Sequence, residues 1–193
     1  HIIAPVIEEV KWKNSSLVEK VRTEYRFENE VPYLYSSAKS YDPVSDNFQA
    51  DVYNTQCDSR GNILCSKQAN GLQTVYLWGY NYKYPIAEIQ GATYDSVKSV
   101  LGHENNDLSY LQGYGEYQLE RELNKLRMAF RDNHPVFIKT FLYKPYVGVT
   151  SITTSDGFTT KYGYDQFGYL KESYLERNGR KQLIQEFKYN YKL

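Results

Sequence analysis

Three histidines, two cysteines and 23 carboxylates are the groups in this 193-residue chain that could do nucleophilic, acid-base or metal chemistry. Nucleophilic catalysis needs a Ser, Cys or Thr beside a base that a third group orients. His1 is terminal, His103 sits in an Asn-rich stretch and His134 precedes Pro135, so none stands at a local spacing that builds such a relay. Glu8-Glu9 and the pair Glu120 and Glu122 lack the apolar setting that would split two carboxyl pKa values, and they read as solvated strand and helix faces. Asp95, Asp107 and Asp132 are isolated, and no glycine-rich loop for phosphate is present. Cys57 and Cys65 flank the turn Asp58-Ser59-Arg60-Gly61-Asn62. With Gly61 as a G1 bulge, Cys57 faces Ile63 and Thr55 faces Cys65, which leaves the sulfurs on a diagonal too long for easy bridging. Two free thiols are expected, with a disulfide only if the register slips. No further Cys or His stands at ligand spacing. Hence no catalytic residue, metal site or cofactor is assigned, and the chain is expected not to be an enzyme.

The remaining chemistry is aromatic, with 21 Tyr and 8 Phe against 2 Trp and 1 Met. Tyrosine joins a large apolar ring to a wet hydroxyl, which suits half-buried strand positions and favours sheet over helix bundle. Trp78, Tyr80, Tyr82 and Tyr84 read as one strand face. Rings with hydroxyl tips can stack on sugars, so these four are the candidate binding residues for a glycan or protein ligand. The same rings could interlock as core. A formal net charge of +0 gives no global pull toward nucleic acid, and nucleic acid is not an expected partner. No run of about 18 apolar residues exists, so no membrane insertion is expected.

The elements that must position these residues are mostly strands. Val6 to Trp12 and Val21 to Phe27 alternate apolar and charged residues and are joined through Asn14-Ser15-Ser16. Tyr33 to Tyr41 and Phe48 to Cys57 read as a second pair, with Asp42-Pro43 and Ser45-Asp46-Asn47 turning between them. Ile63 to Lys67 returns, Asn70-Gly71 turns again, and Thr74 leads into a strand running through Ile89, with Pro85 at an edge, a bulge or a strand start. Thr93 can cap a short helix carrying Val97, Val100 and Leu101 that stops at Gly102. After the loop His103 to Asn106, a helix from about Glu116 to Arg131 puts Leu119, Leu123, Leu126 and Phe130 on one stripe. Beyond Asn133-His134-Pro135 come five strands: Val136 to Tyr143, Gly148 to Thr153, Phe158 to Tyr164, Tyr169 to Glu176 and Gln182 to Tyr191. Asp156-Gly157, Asp165 to Gly168 and Asn178-Gly179 supply hairpin chemistry between them.

Two of these turns repeat one unit. Tyr53 to Ile63 and Thr160 to Leu170 both run strand, Asp, two residues, Gly, one residue, aliphatic side chain. The Asp58 and Asp165 carboxylates can cap a type I turn, and Gly61 and Gly168 supply the positive φ that follows. A recurring unit of this kind points to a repeat-built β structure. Tyr164-Asp165-Gln166-Phe167-Gly168-Tyr169-Leu170 resembles the unit of the YD-repeat family, also called RHS proteins. The Asp58 copy departs by carrying Cys57 in place of Tyr, and Tyr41-Asp42 lacks the Gly. Val75 to Ile89, and Tyr143-Lys144-Pro145 leading into Val147 to Thr150, resemble RHS-like proteins of Bacteroidetes.

The resemblance implies strands wound into long sheets or hollow shells in large surface or secreted proteins, and it implies no activity for this piece. The expectation is a mainly β, antiparallel meander of YD-repeat type, one domain over residues 1–193 with a helical insertion at about 93–131. A start at His1 without Met is expected of a fragment, from the C-terminal part of its parent. Its expected role is that of a non-catalytic structural module whose partners are neighbouring repeats, at the cell surface or secreted. The alternative is a carbohydrate- or protein-binding module that uses Trp78 to Tyr84.

Overall fold

The computed structural model describes residues 5–38, 40–42, 47–50, 52–102, 107–132, 135–177 and 180–191. His1, the turn residues Pro43, Ser45 and Asp46, the loop His103 to Asn106, Asn133-His134 and Asn178-Gly179 lie outside them. The chain is mainly β and antiparallel, with two short α-helices. It divides into two compact units, His1–Val75 and Tyr76–Leu193.

The first unit is a meander. Strands β1 (Glu8–Lys13), β2 (Ser16–Glu28) and β3 (Val31–Ala38) are joined by two-residue turns at Asn14-Ser15 and Asn29-Glu30. All four turn residues have positive φ, between 48° and 66°. That is the primed turn whose twist matches the strands it joins. Opposite charges face one another across the β1–β2 ladder, as in Lys11 with Glu19 at 2.6 Å and Arg22 with Glu8 at 2.9 Å. β4 (Ser40–Asp42) and β5 (Asn47–Gln49) form a separate two-stranded ladder, and β6 (Val52–Cys57) pairs with β3. The two long strands read from the sequence are therefore interrupted. Their register is not displaced, since Ser36 opposes Tyr53 in one ladder and Tyr41 opposes Phe48 in the other.

β7 (Ile63–Gln68) completes the next hairpin and pairs with the start of β8 (Gln73–Gly79). Tyr33, Cys57 and Val75 are buried in this unit along with the polar Ser36, Ser66 and Thr74. Cys57 opposes Ile63, but Cys65 opposes Gln56 rather than Thr55, because the ladder bulges on both sides of Gln56. Both thiols are free. Burial, with the Glu28 carboxylate next in effect, pushes the Cys57 thiol up to about 11, which keeps it protonated and unreactive at neutral pH.

In the second unit β8 continues through Tyr76–Gly79 into β9 (Tyr84–Gln90), and the sheet runs on as β10 (Phe137–Lys144), β11 (Gly148–Thr153), β12 (Thr159–Tyr164), β13 (Leu170–Arg177) and β14 (Arg180–Glu186). Pro85 takes the second position of β9, at the strand start. Between β9 and β10 come α1 (Tyr94–Leu101), a short 3-10 helix at Ser109–Gly113 and α2 (Glu116–Ala129). Thr93 caps α1, its Oγ1 accepting from the Ser96 N–H at 3.2 Å while the Ser96 hydroxyl accepts from the Thr93 N–H. The apolar stripe Leu119, Leu123, Leu126 and Phe130 is buried, and α2 packs on α1 and β10. These four side chains contribute on the order of 2 kcal/mol each, which fixes the helical insertion to the sheet. Along β10 the buried Ile138, Thr140 and Leu142 alternate with exposed or half-buried neighbours, the period-2 signature of a strand covered on one face.

Hairpin turns of one design recur through both units. At Asp58–Asn62 the Gly61 N–H donates to the Asp58 carbonyl (3.0 Å), and the Asp58 N–H donates to the Asn62 carbonyl (2.9 Å). Asp165–Tyr169 repeats both bonds at 3.1 and 2.9 Å. So do Gln68–Leu72 and Thr154–Phe158, where no Asp stands first. In each the fourth residue is a glycine with φ between +83° and +90°. The Asp copies aim Oδ1 at the third and fifth N–H groups, as Asp58 does to Arg60 and Asn62 and Asp165 to Phe167 and Tyr169. Where the first residue is Gln68 or Thr154, the third residue takes over: Asn70 accepts from Leu72 N–H at 2.9 Å, and Asp156 from Phe158 N–H at 3.2 Å.

Two of these glycines separate backbone strain from crowding. A Cβ at Gly71 would meet nothing within 4 Å, whereas one at Gly61 would lie 2.9 Å from the Pro32 carbonyl oxygen. Gly71→Ala is expected to cost about 1–2 kcal/mol, the left-handed penalty alone. Gly61→Ala should cost more, because a backbone oxygen must also move; equal losses in urea unfolding would contradict this difference.

Candidate binding surface

The candidate aromatic residues fall around a hairpin, not along one strand face. Trp78 is on β8 and Tyr84 opens β9, while Tyr80, Asn81, Tyr82 and Lys83 form the turn between them. The expected continuous strand is corrected at this point. Its residues have strand propensity, yet Tyr80, Asn81 and Tyr82 have φ of 53°, 60° and 62°, three successive residues in the left-handed region. Side chains there cost roughly 1–2 kcal/mol per residue, so neighbouring contacts must over-determine the turn.

Gln112, on the short 3-10 helix, supplies much of that constraint. Its carbonyl accepts from Asn81 N–H (3.1 Å), its Oε1 accepts from Tyr82 N–H (2.6 Å) and its Nε2 donates to the Trp78 carbonyl (2.7 Å). Lys83 N–H closes the turn on the Gly79 carbonyl at 3.1 Å. Gly79 leaves room for this hairpin, because a Cβ there would come within 2.8 Å of Ile86 Cγ2.

Tyr80 and Tyr84 then meet Tyr143 of β10. Tyr84 stacks on Tyr143 with centroids 4.8 Å apart and planes 20° apart, and Tyr80 sits edge-on to both at 5.8 and 5.7 Å. The hydroxyls are already engaged: Tyr80 Oη accepts from Tyr143 N–H at 2.9 Å, and Tyr84 Oη from Tyr146 N–H at 3.2 Å. Trp78, Tyr80, Tyr82 and Tyr84 are all half-buried. Tyr146 is the exposed ring of the group, at 83%, and Lys83 Nζ donates to its hydroxyl at 2.7 Å.

The electrostatics are those of a neutral aromatic cluster with one cation at its rim. Burial raises the phenol pKa of Tyr80 and of Tyr143. The Lys83 hydrogen bond lowers that of Tyr146, and the same bond raises that of Lys83. At neutral pH the raised phenols of Tyr80 and Tyr143 stay protonated and Lys83 stays charged, so the cluster can stack and donate. Among the described residues no three His, Cys, Asp or Glu side chains gather as metal ligands. Gln112, Tyr143 and Tyr146 were invisible as members of this group. The one local sign was Pro145, which places Tyr146 third in the turn that Val147 N–H closes on the Lys144 carbonyl at 3.0 Å.

Gln112→Ala removes two side-chain bonds from a strained turn and is expected to lower unfolding free energy by about 1–3 kcal/mol. Gln112→Glu keeps an acceptor for Tyr82 N–H and should lose less. Chemical denaturation of the three proteins measures this, and an unperturbed alanine variant would mean that the turn is held by other contacts.

No protein-family model matches the chain, and no curated protein matches it. Solved structures similar to it include two crystal structures whose names share TcdB2-TccC3. The crystal structure of TcdB2-TccC3-Cdc42 is 14% identical with a TM-score of 0.48, over 86% of this chain and 7% of that one. The crystal structure of TcdB2-TccC3 is 11% identical with a TM-score of 0.25, over 93% of this chain and 12% of that one. The chain thus spans a small fraction of the length of either structure that it resembles.

Proposed function

We propose that this chain is a non-catalytic structural β module, a segment of a larger YD-repeat protein of the RHS-like type seen in Bacteroidetes, displayed at the cell surface or secreted. The observation that carries this reading is the turn with glycine fourth, built four times with the same two backbone bonds. A chain that builds one backbone turn four times is organised for repetition, and its partners are neighbouring repeats of the parent protein. The edges support it. β1 pairs only with β2 and β14 only with β13 among the described residues, and both strands are exposed along their length. Open edges of this kind are where further strands add.

The second reading, a module that holds a glycan or protein on Trp78 to Tyr84, is favoured by the left-handed turn, since backbone strain gathers at recognition sites. The packing of Tyr80 and Tyr84 against Tyr143 argues for the structural role first.

For the structural reading, an antibody raised against this chain is expected to bind intact cells or culture medium; a signal seen only after lysis removes the surface assignment. A glycan screen of the wild type beside Trp78→Ala separates the second reading. Binding lost in the variant would support recognition at the hairpin, while no binding by either would leave Trp78 to Tyr84 as packing.

A further inference from the structure

A second place in the Tyr76–Leu193 unit has the form of a ligand site, and none of the aromatic candidates belongs to it. A cavity of about 720 Å³ opens between the C-terminal turn of α2, the start of β10 and the Thr154–Phe158 turn. Small-molecule sites typically span roughly 300–1,000 Å³ and join an apolar wall to a few convergent polar groups. Phe130, Val136, Phe137, Ile138 and Met128 make that wall here. Phe137 and Met128 are 56% and 68% exposed, large apolar groups turned toward water.

The polar side is cationic. Among the described residues Arg127 and Arg131 line the cavity, against the single carboxylate of Asp156. Arg127 is half-buried, and its donors go to neutral oxygens: the carbonyls of Ile138 (3.3 Å), Thr154 (3.0 Å) and Thr153 (2.8 Å) and the hydroxyl of Thr140 (2.6 Å). Asp156 acts on it through space, its own Oδ1 being taken by the Thr154 hydroxyl and the Phe158 N–H. Burial pulls the Arg127 pKa down, which is what a desolvated cation short of negative charge experiences. The C-terminal end of α2 adds about half a unit of negative charge, which leaves the lining positive. A half-buried charge in this condition is a standing attraction for an anion.

We propose that this cavity binds a small organic monocarboxylate, its apolar body against Phe130, Phe137 and Met128 and its carboxylate on the Arg131 guanidinium within the field of Arg127. The lining keeps a net positive charge after Asp156 and the helix end are counted, small enough to suit a monoanion and no higher charge, and the apolar wall selects against inorganic anions. Arg131 is the direct partner because the NH1 and NH2 hydrogens of Arg127 are already committed to protein oxygens. Arg127 is a positioning residue that ties α2 to β10 and β11 and supplies charge.

Met128 is the single methionine of the chain, so a protein labelled with ¹³C at its methionine methyl reports on this cavity through one resonance. Titration with naphthalene-2-carboxylate should move that resonance saturably, and naphthalene-2-carboxamide, neutral and of the same shape, should bind at least roughly tenfold more weakly. Arg131→Gln should weaken carboxylate binding by roughly tenfold, the loss of one charge-assisted hydrogen bond. Asp156→Asn should tighten it, since Oδ1 can still accept from Thr154 and Phe158 while the opposing charge is gone. An unchanged amide spectrum away from the cavity checks that each variant is folded. Absence of a saturable shift overturns the proposal. So does equal affinity for the carboxamide, which would describe an apolar groove blind to charge, or Arg131→Gln binding like the wild type. None of these results bears on the structural reading, which rests on the turns.

Discussion

A hairpin must reverse the chain without stranding backbone N–H groups, and in this chain one device meets that constraint again and again. The fourth residue of the turn takes a left-handed conformation, which bends the strand back and directs the N–H of the fifth residue into the turn. A side-chain oxygen then has to meet that N–H. Asp58 and Asp165 reach it from the first position and cover the third N–H as well, while Asn70 and Asp156 reach it from the third position. The backbone geometry is common to all four, and only the origin of the oxygen varies. Glycine fixes the turn, and the carboxylate or carboxamide is an interchangeable means of solvating it from within.

That interchangeability explains how much of the architecture could be read beforehand. Strands with period-2 alternation, glycine-bearing turns, the Thr93 cap and the Leu119 to Phe130 stripe are all local patterns, and the mainly antiparallel β fold follows from them. The aromatic hairpin was misread for a physical reason. Tyr80 and Tyr82 have strand propensity, and nothing in their own sequence announces a left-handed turn, because the groups that enforce it come from Gln112, about thirty residues away. The bulges around Gln56 were hidden likewise, since a bulge is settled by how two strands match and not by either strand alone. The cavity beside Arg127 was equally invisible: it joins a helix end, a strand start and a turn that are separate in sequence.

Arg127 shows how the helical insertion is bound to the sheet without an ion pair. Three carbonyls and a hydroxyl surround its guanidinium, and they come from β10, β11 and the residue that follows β11. Neutral acceptors hold a guanidinium in place at less desolvation cost than a buried carboxylate would incur, yet they leave its charge uncancelled. Glu122 follows the opposite scheme. It is buried on the same helix but answered at once by Lys125 Nζ, 2.8 Å from both carboxylate oxygens. A buried and a half-buried charge on one helix are thus treated differently. Glu122 is neutralised within its own helix, whereas Arg127 keeps its field and presents it to a cavity.

The departures that depend on the helical insertion have a common location. The four regular turns lie at 58–62, 68–72, 154–158 and 165–169, and the segment between the second and third contains the left-handed turn, the helices and Arg127. Regular hairpins need only their own residues to be satisfied. The Tyr80 to Lys83 turn needs Gln112, Gln112 needs the short helix that carries it, and α2 needs the face of β10 to cover its leucines. Each irregular element is stable only in the presence of the next, so the middle of the second unit should gain or lose its order as one cooperative block, while the hairpins on either side can form from local contacts.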